Sequence, residues 1–378
     1  MRGPHPVPQY DFAAFKSIVA DNQSIEYAGI LLPDGLDQVD FAQSEKSLSQ
    51  QSTTRKRCRS LKALTLDGPR TQLSRGLLIE LDKYIEIGNL ESVKFSRGLP
   101  QVSYFENAVA MLPKLKDVSL NFSAILEWHQ TQSPLLDAAH NYILMCAPLR
   151  TLSLWGWKRV ISLQDLINRH GQSLTSLQLH EKEVIGCSSL TESDAEEGPV
   201  EDGERGLNLL DVQLIKRNCP KLQDLSIDMT HDEGFDLHSD STTLQLLHEL
   251  ADSGPQLRKL QIYFTTNGLA ALLHPQSGVL HRSGDEKSQS YDSEDPGSVL
   301  REYVRSIWKH IYGNATTGER LLDVKLGEWE SKASAWWKHP QFHNGSPVGM
   351  LDIRRYFEVR PHERDDHVGE CEIRMRQK

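Results

Sequence analysis

Two histidines, His339 and His343, stand four residues apart, a spacing at which paired imidazoles hold zinc. Pro340 lies between them and no further ligands cluster nearby, so a solvated loop is the expectation there. Asp365, Asp366 and His367 also carry metal-binding atoms, but Arg364 adjoins them and local ion pairing accounts for the group. Phosphate binding would call for GxxxxGK[ST] or GxGxxG, acyl transfer for GxSxG, and zinc hydrolysis for HExxH. None of these occurs. The five cysteines (Cys58, Cys146, Cys187, Cys219 and Cys371) are odd in number and form no CxxC pair, which argues against a disulfide framework or a structural zinc site. Cys146 and Cys219 end apolar, helix-like runs and are expected as small buried residues. The expectation is a protein that is not an enzyme and takes no cofactor and no metal. A site assembled from distant residues stays as the alternative.

Charge and composition narrow the partners. The chain has 378 residues and a formal charge of -10, with 38% hydrophobic and 25% charged residues. No global basic field is present to attract nucleic acid or an anionic membrane, and neither is an expected partner. The one basic run, Arg55-Lys56-Arg57-Cys58-Arg59, suits a nuclear address or a phosphate contact, but reads first as a solvated loop leading into a strand. Residues 1–10 carry three prolines and no apolar run, and no stretch of about 18 apolar residues occurs anywhere. The expected location is cytoplasmic or nuclear.

A short phrase recurs along the chain: Leu, two residues, an aliphatic, one residue, an apolar residue. It appears at Leu61-Leu64-Leu66, Leu90-Val93-Phe95, Leu115-Val118-Leu120, Leu149-Leu152-Leu154, Leu174-Leu177-Leu179, Leu222-Leu225-Ile227 and Leu257-Leu260-Ile262. A weaker copy is Leu321-Val324-Leu326. The first leucines are separated by 29, 25, 34, 25, 48 and 35 residues. Most copies follow a helical run and a breaker such as Gly88-Asn89, Pro113-Lys114 or Pro220-Lys221. Each unit thus reads as one helix and one short strand. A single unit cannot cover its own apolar face, whereas stacked units cover one another. The expected fold is an α/β leucine-rich-repeat solenoid, horseshoe-like, with parallel strands on the concave face and helices outside. Doubly wound sheets and closed barrels also alternate strands and helices, but their strands are continuous apolar runs. Here polar residues alternate with apolar ones, as in Thr65 and Asp67 or Ser226 and Asp228.

That alternation places candidate binding residues. The middle outward positions are Thr65, Lys94, Ser119, Ser153, Gln178, Ser226 and Gln261. The residues just after the phrase include Asp67, Ser96, Asn121, Trp155, His180, Asp228 and Tyr263. Asp67, Asn121, Trp155, Trp157, His180, Asp228 and Tyr263 are taken as the partner-binding set, because aromatic residues on a wet strand face are frequent anchors. Within Trp155-Gly156-Trp157, packing of one Trp against a neighbouring loop is the competing account.

Copies such as Cys146-Ala-Pro-Leu-Arg-Thr-Leu-Ser-Leu154 and Asn218-Cys-Pro-Lys-Leu-Gln-Asp-Leu-Ser-Ile227 resemble the repeats of F-box/leucine-rich-repeat proteins. The irregular spacing, acidic insertion and Trp-rich tail resemble the large fungal set of F-box-like proteins. The resemblance covers about residues 55 to 330. It implies that the repeats hold a substrate protein on the concave face, while an F-box docks onto a cullin-type ubiquitin ligase. An F-box is opened by Leu-Pro and an acidic residue. Leu32-Pro33-Asp34 fits that opening, but Gly35 and the polar run from Gln43 to Thr54 follow where helices are needed. A ligase adaptor is therefore a partner only if an F-box lies upstream.

The expected organisation is an N-terminal cap and polar linker at 1–54, then irregular repeats over 55–330 with an acidic loop at 186–206 and a flexible loop at 278–296. A C-terminal cap or tail follows at 331–378. In the tail, Met350-Leu351-Asp352-Ile353 and Phe357-Glu358-Val359 suggest two strands that close the core, with a second binding surface as the alternative.

Overall fold

The computed structural model describes residues 9–32, 57–68, 73–96, 99–122, 133–181, 206–229, 241–251, 257–264, 296–312, 321–326, 338–343, 346–352, 355–361 and 371–376. The fold is α/β, with parallel strands alternating with helices. The chain divides into two compact units, residues 1–179 with 218–221, and residues 180–217 with 222–378.

The first unit carries β1 (Gln9–Asp11), β2 (Tyr27–Leu31), β3 (Ala63–Asp67), β4 (Ser92–Phe95), β5 (Asp117–Asn121), β6 (Thr151–Trp155) and β7 (Ser176–His180), laid side by side in chain order. Between them run α1 (Phe12–Asp21), α2 (Arg75–Asp82), α3 (Val102–Met111), α4 (Ser133–Met145) and α5 (Leu163–His170). The recurring phrase explains the strands. Leu64 and Leu66, Val93 and Phe95, Val118 and Leu120, Leu152 and Leu154, and Leu177 and Leu179 are all buried, as are the leading leucines Leu61, Leu90, Leu115, Leu149 and Leu174. Each such side chain contributes about 1.5–3 kcal/mol on burial. The residues between them form the other sheet face, where Gly29, Thr65, Lys94, Ser119 and Ser153 pair in register on successive strands. Helix starts follow capping chemistry: the Asp11 carboxylate accepts from Ala14 N–H at 2.7 Å, and Ser162 Oγ accepts from Asp165 N–H at 3.1 Å.

Backbone bonding sets the register at the turn before each strand. The Glu26 carbonyl accepts from the N–H groups of Lys62 (2.8 Å) and Ala63 (3.0 Å). The Lys62 carbonyl does the same for Glu91 and Ser92, that of Glu91 for Lys116 and Asp117, and that of Lys116 for Arg150 and Thr151. The Arg150 carbonyl receives Thr175 and Ser176. One carbonyl per repeat thus receives two donors from the next.

Strands β1 and β2, with α1, fall in the segment expected as a cap and linker. Ile25, Ala28 and Ile30 stand where later copies have three leucines, and β2 pairs parallel with β3. Of the basic run, Arg57 and Arg59 are described, and they pair with Asp82 at 3.1 Å and Glu86 at 3.2 Å.

An aromatic chain fills the core of this unit. Phe95 meets Tyr104 edge-on at 5.3 Å, Tyr104 meets Phe105 at 6.0 Å, and Phe105 meets Tyr142 at 5.3 Å. The Tyr104 hydroxyl is fully buried and no group among the described residues bonds to it. Burial drives its ionisation far above the ordinary tyrosine range, and pushes the neighbouring Cys146 thiol up to about 11. A desolvated hydroxyl without a partner costs about 1–3 kcal/mol. Tyr104→Phe is therefore expected to raise stability by about 1 kcal/mol in a urea titration. A loss of stability would mean that the hydroxyl is bonded after all.

The second unit carries α6 (Leu209–Asn218), β8 (Asp224–Met229), α7 (Ser241–Ala251), β9 (Lys259–Phe264), α8 (Pro296–Tyr312) and β10 (Leu321–Leu326). Strands β8, β9 and β10 are parallel and in chain order. Asn208 and Asp211 cap α6 reciprocally, each side chain accepting the other's N–H at 3.0 and 3.1 Å. The leading Leu222 and Leu257 are buried like their counterparts, and so are Cys146 and Cys219. β13 (Arg355–Pro361) then pairs antiparallel with β10, and β14 (Cys371–Arg376) pairs antiparallel with β13. β11 (Lys338–His343) and β12 (Ser346–Asp352) form a separate antiparallel pair.

His339 and His343 thus sit in a strand and not in the loop expected for them. A two-stranded pair leaves each strand one unbonded edge, where Pro340 is tolerated. The acidic loop at 186–206 lies outside the described residues apart from Gly206, and the loop at 278–296 apart from Pro296. Trp329, Trp336 and Trp337 also lie outside them.

Candidate partner-binding face

The outward face of β2 to β6 is built by strand alternation, which sends every second side chain away from the helices. Three rows cross the strands. Tyr27, Ala63, Ser92, Asp117 and Thr151 form the first, and Gly29, Thr65, Lys94, Ser119 and Ser153 the second. Leu31 with Asp67, and Asn121 with Trp155, belong to the third. Small polar side chains at half exposure dominate the first two rows. Tyr27 is 57% exposed and Leu31 39%, unusual for large apolar residues on a strand.

Ion pairs between consecutive repeats line one border of this face. Lys62 Nζ lies 2.9 Å from Glu26, Lys116 Nζ 2.8 Å from Glu91, and Arg150 2.9 Å from Asp117. The hydrogen bond from Lys116 holds the Glu91 carboxyl below its ordinary range. Lys94, exposed in the middle of the second row, has no ion-pair partner among the described residues.

The seven residues expected to bind a partner fall into separate places. Asp67 ends β3 and Asn121 ends β5; both are buried, not projecting into solvent as expected of them. Trp155 ends β6 and is half-buried on the outward face. Gly156 follows with φ 68°, a left-handed conformation that suits glycine. That turn sends Trp157 into the core, where it is buried, so Trp157 is a packing residue and not part of the open face.

His180, Asp228 and Tyr263 come together in the second unit. His180 Nδ1 is hydrogen-bonded to Asp228 Oδ1, and the Glu181 N–H donates to Asp228 Oδ2. The His180 and Tyr263 rings stack with centroids 4.0 Å apart. Gln261 Nε2 donates to Ser226 Oγ at 2.8 Å and to the Tyr263 hydroxyl. His180 is 1% exposed and Asp228 7%, so this group is a buried polar network whose members bond one another. Lys259 lies 3.5 Å from Asp323, also buried, in the same unit.

No protein-family model matches the chain, and no curated protein matches it. Among the described residues no group of three or more His, Cys, Asp or Glu is placed to hold a metal ion, and no helix is long and apolar enough to cross a membrane.

The sequence pattern put Lys94, Ser119 and Ser153 on this face but passed over Tyr27 and Leu31. Their signal was present in Ile25-Glu26-Tyr27-Ala28-Gly29-Ile30, the same phrase written without leucine.

Proposed function

We propose that the chain is a non-catalytic protein-interaction module of leucine-rich-repeat type, which holds a partner protein on the outward face of its parallel strands. The observation that carries this reading is the row Gly29, Thr65, Lys94, Ser119, Ser153: small or polar, in register, and backed by a packed aliphatic layer. Lys94 apart, the side chains of this row are short, which lets a partner approach the sheet closely at little cost in side-chain ordering. Tyr27 and Trp155 supply aromatic anchors near its two ends.

The test is affinity capture with three forms of the full chain. Ser119→Glu places a longer, negatively charged side chain in the middle of the face, beside Lys94. Met145→Ser alters an exposed residue of α4 on the helix side. Wild type and Met145→Ser are expected to capture the same partner and Ser119→Glu to lose it. Retention by Ser119→Glu overturns the reading. The resemblance to F-box/leucine-rich-repeat proteins makes a cullin-type ligase adaptor one candidate in the captured set. Gly35 and the polar stretch after Leu32-Pro33-Asp34 favour a second reading, a repeat-only scaffold without ligase linkage, and absence of the adaptor from the captured set supports it.

A further inference from the structure

The geometry points to one kind of occupant for this face: an extended peptide that crosses the strands of the first unit and carries an acidic side chain three residues from an apolar one. This rests on the reading of the face as the binding surface and goes further by naming the chemistry of what binds.

Three observations carry it. Lys94 is exposed in the central row and has no ion-pair partner among the described residues, while Lys62, Lys116 and Arg150 on the border are each paired. Around Lys94, Thr65 and Ser119 stand opposite in register on the two neighbouring strands, Ser92 stands two residues before it on its own strand, and Ser96 follows directly after that strand ends. All four share its sheet face, so an ammonium group is ringed by hydroxyl positions, a setting for a carboxylate or phosphate oxygen. Tyr27 and Leu31 are the exposed large apolar residues of this face, and both lie on β2, flanking Gly29, which has no side chain to fill the gap between them.

Spacing then fixes the pattern. Neighbouring strands lie about 4.8 Å apart, so β2 and β4 are separated by about 10 Å, as are β4 and β6. An extended chain covers about 10 Å in three residues. A peptide running across the strands therefore seats an apolar residue at Tyr27 and Leu31, an acidic one three positions on at Lys94, and a second apolar residue three positions further at Trp155. Asp67 lies diagonal to Lys94; it is buried and engaged in contacts of its own, which sets its charge back from the surface.

The experiment pans a displayed library of random peptides of about twelve residues against the full chain and against Lys94→Glu. Enrichment of Asp or Glu three residues from an aliphatic or aromatic residue on the wild type, lost on Lys94→Glu, supports the inference. The best acidic peptide, synthesised, is then expected to bind Lys94→Glu about tenfold more weakly and Tyr27→Ala about fivefold more weakly than wild type. A version with Lys in place of its acid is expected to lose about as much on the wild type. No enrichment of an acid at that spacing, or an acid preference that survives Lys94→Glu, overturns the inference. Peptides that bind without acid preference and are lost with Ser119→Glu leave the binding-face reading standing and remove only this one. Peptides that bind Ser119→Glu unchanged remove both.

Discussion

Acidification from pH 7 to pH 4 is expected to cost the fold about 3 kcal/mol through one imidazole, that of His170. His170 ends α5 and is fully buried. Its Nδ1 accepts from the Leu149 N–H at 3.2 Å, so its Nε2 carries the proton and donates to the Ile143 carbonyl at 2.9 Å. Ile143 lies in the last turn of α4, where carbonyls lack a partner within the helix. Leu149 opens the next phrase. One neutral ring therefore ties the end of a helix to the turn after it. A second proton would convert Nδ1 to a donor facing another donor. Burial lowers the folded pKa from its ordinary 6.5 to about 4. The unfolded chain takes up its proton first on acidification, so this contribution is complete above about pH 6.5 and is lost as pH falls towards 4. The measurement is urea stability at several pH values for wild type and His170→Gln. Carboxylates titrate in both, so their effect cancels in the difference, and the wild type is expected to show the steeper loss by about 3 kcal/mol. Parallel pH profiles would mean that His170 is not held neutral.

Asp228→Ala is expected to destabilise the second unit by about 3–5 kcal/mol. Both oxygens of this buried carboxylate are engaged, one by His180 Nδ1 and the other by the Glu181 N–H. Alanine removes the acceptor from two donors at once, and His180 is enclosed too well for water to replace it. The stacked Tyr263 ring loses the fixed imidazole beneath it, and the Gln261 and Ser226 bonds loosen in turn. Asp228→Asn keeps one acceptor and is expected to lose less than the alanine variant. Chemical denaturation of the three proteins reads both effects. A loss under about 1 kcal/mol for the alanine variant would show that the network does not stabilise the unit.

The parallel strands were legible because their signal is short-range. Two buried apolar residues and a leading leucine recur within six residues, and that suffices to fix strand and inward face, with the register of β3 to β6 in the first unit and of β8 and β9 in the second. β2 is less legible because isoleucine and alanine fill the same places in Ile25-x-x-Ala28-x-Ile30, although the packing requirement is equally met. β11 was obscured by Pro340, which reads as a breaker until the free edge of a two-stranded pair is known. Sidedness was readable at the candidate site and exposure was not. Asp67, Asn121, His180, Asp228 and Tyr263 all stand at alternating strand positions, yet all are buried. Burial at a strand end depends on what approaches from distant parts of the chain: His180 and Tyr263 meet across strands far apart in sequence, and neither residue's neighbours hint at the other. His170 was equally silent, because its two partners, Ile143 and Leu149, belong to the preceding repeat.

The carbonyls of Glu26, Lys62, Glu91, Lys116 and Arg150 fasten each strand before it begins. Chain length between strands is consequently uncoupled from strand alignment: intervals of 25 and 34 residues end in the same pair of N–H donors. The helical side can therefore absorb insertions and deletions while the residues across the sheet keep their columns. Drift in repeat length is thus a freedom the architecture grants, and a graft into one of those connections would leave the neighbouring strands in step.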